Sequence, residues 1–240
     1  MLLERLVLEK GRHGKAGGYC IMEAASVLAD EPKSEAPRCV CPTIAALLRG
    51  WSDSLEPADR QKLKPLIPKV LDTNKGNSVA LQRALLAGDF AARVHLAKWL
   101  EAAGEQELSA RLSGAPAFEV FSFTGPVREA IAEAIPKGKA ALAELSASGW
   151  TDATSDVWTA AWQASQRSGR SALRTAAASP AWELIWASME AAGWRAVEIV
   201  ARRGASGADS PYEAAAAALA PTVEVLWGEM FGLVETLISV

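Results

Sequence analysis

The stretch that decides the fold is Ser210-Pro211-Tyr212-Glu213-Ala214-Ala215-Ala216-Ala217-Ala218-Leu219-Ala220-Pro221, followed by Val223, Leu226, Trp227, Met230, Val234 and Leu237. Ser210 before Pro211 is a helix start, and Glu213 stands at the third helical position, where its carboxylate can reach back to the cap amide. Alanine has the highest helix propensity of any residue. The apolar residues after Pro221 recur at steps of three and four, which places them on one helical face. Proline lacks an N–H and clashes with the preceding turn, so Pro221 is read as the start of a separate final helix.

The same signals extend outward. Alanine makes up 48 of the 240 residues, and β-branched runs of strand length are scarce. Trp158 and Trp162 are four apart, as are Trp182 and Trp186, so each pair shares a helical face. The two pairs lie 24 residues apart, but no third copy follows and a solenoid is not supported. Ser179-Pro180 is a cap followed by a good first-turn residue. Pro126 opens a helix that Pro136 and Gly138 are expected to kink or split before it resumes towards Ser146.

In the first half, Pro42-Thr43 opens a segment with Ile44, Leu47, Leu48, Trp51 and Leu55 on one face. Another begins at Ser54-Leu55-Glu56-Pro57. Pro65 and Pro68 interrupt its Leu63, Leu66, Ile67 and Val70, so it is expected to be short and broken. Asn77 is read as the cap of a long helix towards Gly104, with Leu81, Leu85, Ala92, Leu96, Trp99 and Ala103 as its buried stripe. Only Leu2 to Leu8 and Phe118 to Phe123 read as short strands. The expectation is a mostly all-α helical bundle of at least seven helices with a small mixed N-terminal module. A boundary near Gly114-Ala115-Pro116 separates a Cys/His-containing module (1–114) from an Ala/Trp-rich body (115–240), the two packing as one unit.

Half of the chain is hydrophobic and the formal net charge is −3, a globular composition that excludes disordered, collagen-like and fibrous classes. Residues 1–120 carry 16 Lys+Arg against 15 Asp+Glu, and residues 121–240 carry 9 against 13. No basic excess exists to hold bulk nucleic-acid phosphate. Three cysteines form no disulfide framework. The start Met1-Leu2-Leu3-Glu4-Arg5 is charged where a signal peptide is apolar. No run of about 18 apolar residues lacks a charge. A reducing cytoplasm is the expected setting, with no membrane.

The chemistry-bearing stretch is Gly11-Arg12-His13-Gly14-Lys15-Ala16-Gly17-Gly18-Tyr19-Cys20-Ile21-Met22-Glu23, a glycine-rich basic loop entering a helix. Arg12 and Lys15 beside helix-start amides suit an anion, although both standard phosphate fingerprints are missing. The ordinary reading is a loop whose glycines serve turns. Cys20 at a helix start is expected to have a lowered thiol pKa, and with His13 and Glu23 it makes a candidate nucleophile set. His13, Cys20, Cys39 and Cys41 together are one imidazole and three thiolates, a candidate zinc set of poor spacing. Buried, reduced and inert cysteines are the alternative. Pro32, Pro37 and Pro42 stiffen the return and are expected to deliver Cys39 beside Cys20 and Glu23. His95 borders the stripe of the long helix and reads as a packed histidine. Trp158 and Trp162 are candidates for stacking a flat ligand, against the plainer reading of core packing. Lys62, Lys64 and Lys69 near Arg60 read as a solvated face.

Cys20-Ile21-Met22-Glu23-Ala24-Ala25, Glu31-Pro32-Lys33-Ser34 and Pro37-Arg38-Cys39-Val40-Cys41-Pro42 carry a resemblance, as does Ile44-Ala45-Ala46-Leu47-Leu48-Arg49-Gly50-Trp51-Ser52-Asp53. Leu66-Ile67-Pro68, Trp99-Leu100, Ala160-Ala161-Trp162 and Leu219-Ala220-Pro221-Thr222-Val223-Glu224 extend it, with His13 ahead of the cysteine. Together they resemble an uncharacterised family of actinobacterial and phage accessory proteins, most closely over residues 11–103. Asp30 stands where that pattern has glycine, and Cys41 where it has serine, which weakens a four-ligand zinc site. The resemblance implies a phage or prophage setting and no mechanism. The functional expectation is a non-enzymatic binding protein that engages a host or defence protein. The alternatives are a binder of a small anionic ligand such as a nucleotide, held by Arg12, Lys15, Trp158 and Trp162, or a thiol-dependent enzyme or zinc-stabilised module using His13, Cys20 and Cys39. A homodimer is a further state that the helical faces allow.

Overall fold

The computed structural model describes residues 3–11, 17–119, 125–145, 152–177 and 183–240. Among them the chain is mostly helical, with twelve α-helical segments and a lone parallel bridge between Leu8 and Tyr19. The mostly all-α architecture is therefore observed, and the strand expected at Leu2 to Leu8 is represented by the bridge at Leu8. The strand expected at Phe118–Phe123 lies largely outside the described residues. The Ser179-Pro180 cap and Trp182 lie wholly outside them.

By packing, the chain forms two compact units. The first gathers Met1–Gly88, Ser171–Ala178 and Phe231–Val240, and the second gathers Asp89–Arg170 and Ser179–Met230. Gly114-Ala115-Pro116, expected as a boundary, falls inside the second unit because the helices on either side of it pack on one another.

In the first unit, α1 (Ile21–Leu28) buries Ile21, Met22, Ala24 and Ala25, and packs on α2 (Pro42–Ser54) and α4 (Leu66–Lys69). Asp30 ends the helix with φ 57°, the left-handed region that favours glycine. The proline-stiffened return is closed by Glu31, whose carboxylate accepts from the Arg38 amide at 2.7 Å and the Cys39 amide at 2.9 Å. Those two bonds, the Arg38 amide foremost, hold the Glu31 carboxyl below the usual carboxylate range. Cys41 then stands at the N-cap of α2 without a side-chain cap bond. Its backbone amide donates instead to Thr73 Oγ1 at 3.1 Å, and that hydroxyl donates to the Val70 carbonyl at 2.6 Å.

Two buried arginines complete this unit. Arg60, on α3 (Pro57–Gln61), donates to the Ser52 carbonyl at 2.8 Å and the Leu55 carbonyl at 2.6 Å, where α2 runs out of partners of its own. Arg83 is on α5 (Asn77–Phe90) and only 1% exposed. It donates from Nε to the Leu237 carbonyl at 2.6 Å and from Nη1 to the Thr73 carbonyl. Leu237 is in the last turn of α12 (Pro211–Ser239), so a cation meets the negative end of a long helix.

Three sequence expectations are corrected. First, Leu81 is 58% exposed and Leu85 half-buried, while Ala84 and Ala87 are buried. A π-helical turn at Ala91–Leu96 lies between α5 and α6 (Ala97–Ala102) and takes up about one extra residue, which rotates the buried stripe. Second, α8 (Pro126–Leu145) is not split but runs through Pro136. Third, Pro221 starts no new helix, because α12 continues through it. Both prolines are exposed, as are Ala132 and Ala217 four residues before them. The carbonyls freed by the missing N–H groups therefore reach water, and burial of the flanking residues outweighs the lost bond. By length and composition α12 is apolar enough to cross a membrane, with mean hydropathy 1.3. Yet its Ala215, Leu219, Val223, Leu226, Met230, Val234 and Leu237 form a buried stripe at helical spacing.

In the second unit, α11 (Glu183–Ala205) packs on α8, α9 (Asp152–Arg167) and α6, while α7 (Gln106–Ser113) packs on α6 and α8. The contacts are lined by Ala130, Ala134, Ala160, Ala161, Ala164, Ala192 and Ala196, all buried.

Replacing Arg83 by methionine keeps the stem and removes both charge-assisted bonds, leaving two buried carbonyls unpaired. The expected loss is about 3 kcal/mol, read as a lower urea midpoint. Arg83→Lys is expected to recover only part of it, because one ammonium cannot span both carbonyls as a planar fork does.

Candidate functional site

Cys20 is the N-cap of α1 in a reciprocal capping box. Its Sγ accepts from the Glu23 amide at 3.4 Å, and the Glu23 Oε2 accepts from the Cys20 amide at 2.8 Å. The Glu23 backbone carbonyl accepts from the Ser26 hydroxyl at 2.8 Å, tying the same turn together. The expectation of a lowered thiol pKa is overturned: the Cys20 thiol is pushed up to about 11. Burial dominates, and the Glu23 carboxylate adds to it, outweighing the helix-start amides. Cys39, half-buried, is raised as well, by desolvation first and then by the Glu31 carboxylate.

Of the residues expected to converge, Cys20 and Glu23 meet in this capping box. Cys20 is spent on Glu23, the Cys39 segment on Glu31, and the Cys41 amide on Thr73. Among the described residues no group of three or more His, Cys, Asp or Glu is placed to hold a metal ion. Arg12, His13 and Lys15 lie outside the described residues, so the anion-site and zinc candidates that need them are not built here.

His95 is buried on the π turn, its Nε2 3.0 Å from the Ser168 hydroxyl. Ser168 has one proton and donates it to the Ser165 carbonyl at 2.9 Å. The Ser168 hydroxyl thus lies between the His95 ring and the Ser165 carbonyl. Burial first, and then the nearby Arg170, lower the imidazole pKa to about 3.

The exposed chemistry of the second unit lies elsewhere. Trp158 and Trp162, one turn apart on α9, are 43% and 42% exposed. Their rings are parallel within 5° with centroids 5.7 Å apart. Trp194, half-buried on α11, meets both edge-on at 5.9 and 6.4 Å. The Arg170 guanidinium, at the start of α10 (Arg170–Ala176), lies 5.5 Å from the Trp162 ring and 5.7 Å from the Trp194 ring. Gly169, with φ 90°, makes the turn that brings Arg170 there. The plainer reading of Trp158 and Trp162 as core is thus corrected, because Val157, Ala160, Ala161 and Ala164 fill the inner face of α9. Sequence spacing finds the pair. Trp194 and Arg170 carry no local signal, since only tertiary packing brings them in.

Two outcomes test these assignments. At neutral pH, iodoacetamide is expected to label Cys20 about a hundredfold more slowly than an ordinary thiol, from the loss of thiolate alone. Cys20→Ala is expected to cost about 1 kcal/mol as a lost cap, with Cys20→Ser close to wild type. For His95, folded and unfolded chains are both neutral above the ordinary value of 6.5, and only the unfolded chain takes up a proton between 6.5 and about 3. Stability from this group is therefore full above pH 6.5 and declines as pH falls towards 3, by up to about 1.4 kcal/mol per pH unit. Urea midpoints at stepped pH are expected to show a shallower acid slope for His95→Gln, which keeps a donor and does not titrate.

No protein-family model, no curated protein and no solved structure matches the chain.

Proposed function

We propose that the chain is a non-enzymatic binding protein that engages a partner protein through the helical face of Trp158, Trp162 and Trp194. The observation that carries this reading is the pair of parallel, exposed indoles. Tryptophan and arginine are the residues most enriched where binding energy concentrates, and charged side chains are depleted at the centre of such patches. The ring side of α9 fits that composition, because Thr154, Ser155, Thr159 and Gln166 flank the indoles and none carries a charge. The raised thiol of Cys20 favours binding over turnover.

In the setting implied by the family resemblance, the partner is a host or defence protein met by a phage or prophage accessory factor in the cytoplasm. The three free cysteines suit that reducing compartment. The test is capture from bacterial lysate on immobilised wild type and on the Trp158→Ala/Trp162→Ala double variant. The variant is expected to keep its far-UV circular dichroism and melting temperature and to lose the partner by about thirtyfold or more, the loss of one central hot spot. Equal retention by both proteins overturns the proposal.

A further inference from the structure

We infer that His95 is a positioning residue of the aromatic face: through Ser168 it sets the turn that lays Arg170 against Trp162 and Trp194. The inference rests on the binding reading above for what that face does, and it names the buried group that holds its geometry.

The contacts begin in the interior of the second unit. The π turn Ala91–Leu96 packs on α6, α7 and α11 and buries His95. Single turns of this kind inside α-helices are frequent at functional sites. The His95 Nε2 lies 3.0 Å from the Ser168 hydroxyl, which donates to the Ser165 carbonyl at 2.9 Å. The backbone amide of the buried Ser168 donates to the Ala164 carbonyl at 3.0 Å, so side chain and main chain are both held. Gly169 follows with φ 90°, and a Cβ built there would stand 2.7 Å from the Met230 Cε. The turn is thus pinned by His95 on one residue and pressed on Met230 at the next. Arg170 comes directly after, and its guanidinium is engaged 5.5 Å from the Trp162 ring and 5.7 Å from the Trp194 ring.

The same π turn also meets the other helix of the face. A Cβ built on Gly193 of α11 would lie 3.5 Å from the Leu96 Cδ1, an ordinary van der Waals contact, and Trp194 is the next residue. His95 and Leu96, neighbours in the chain, therefore abut both segments that bring partners to the indole pair. Histidine suits this place because a neutral imidazole carries a hydrogen bond into the interior without setting a second cation beside the guanidinium. Burial first, and then Arg170, keep it neutral. A face supported by packed side chains and buried hydrogen bonds holds its geometry before a partner arrives.

The experiment follows the indole N–H signals of the isotope-labelled full chain by nitrogen–proton correlation spectroscopy, with Trp51→Phe, Trp162→Phe and Trp194→Phe as assignments. Ser168→Ala is expected to move the Trp162 and Trp194 signals by several line widths and to leave that of Trp51, in the first unit, in place. In an Arg170→Gln background the same substitution is expected to move them severalfold less, because the group it displaces is gone. His95→Leu is expected to act on these two signals as Ser168→Ala does, and His95→Gln, which keeps a hydrogen-bonding group, to restore them. If Ser168→Ala fails to fold, the two His95 variants carry the comparison. A lowered urea midpoint with unmoved Trp162 and Trp194 signals overturns the inference, as do equal displacements with and without Arg170. Where capture from lysate needs the indoles, Ser168→Ala is expected to weaken it severalfold. Capture that needs the indoles but ignores Ser168→Ala defeats this inference and leaves the binding proposal standing. Moved signals with capture that ignores the indoles leave the positioning role standing and defeat the binding proposal.

Discussion

The close approach of alanine-lined helices is the constraint on which the second unit depends. A Cβ built on Gly204 of α11 would stand 2.4 Å from the Ala218 Cβ of α12, nearer than real atoms come. Small residues also line the buried sides of α9 and α11, at Ala160, Ala161, Ala164, Ala192 and Ala196. Val157, Ala160, Ala161 and Ala164 fill the inner face of α9, and Trp158 and Trp162 sit at its rim, where they stack on each other and on Trp194.

The first unit solves a different problem. Its helices are short, and short helices leave many backbone groups unpaired relative to their length. Buried cations take these up: Arg60 serves the end of α2, and Arg83 joins the last turn of α12 to the Thr73 loop. Thr73 in turn receives the amide that begins α2. Such bonds cost desolvation, but each replaces an orphaned carbonyl that would cost about as much. Arg60 beside three lysines reads from sequence as part of a solvated face, yet it is buried, because the sequence does not show where the carbonyls lie.

What was legible in the sequence was local. Helix starts at Pro42, Pro57, Pro126 and Pro211 follow from φ and hydrogen-bond chemistry within a few residues. Where local and tertiary effects compete, local reading fails. Pro136 and Pro221 are breakers by propensity, but both lie on wet faces of helices held by their buried sides. Cys20 has the helix start that lowers a thiol pKa, but burial and Glu23 raise it. Leu81 keeps helical spacing with Ala92 and is exposed, while Arg83, Ala84 and Ala87 are the buried residues of α5 near it. The indole cluster was half visible: the Trp158–Trp162 step is in the sequence, whereas Trp194 and Arg170 join it only through the pairing of α9 with α11 and the turn at Gly169.

The division of labour among the polar groups bears on what the molecule can do. Among the described residues, Cys20 is held in a helix cap, and the Ser168 hydroxyl lies between His95 and the Ser165 carbonyl. Trp158 and Trp162 remain 43% and 42% exposed, so the fold gains only part of the roughly 1.5 to 3 kcal/mol that full burial of a large apolar side chain contributes.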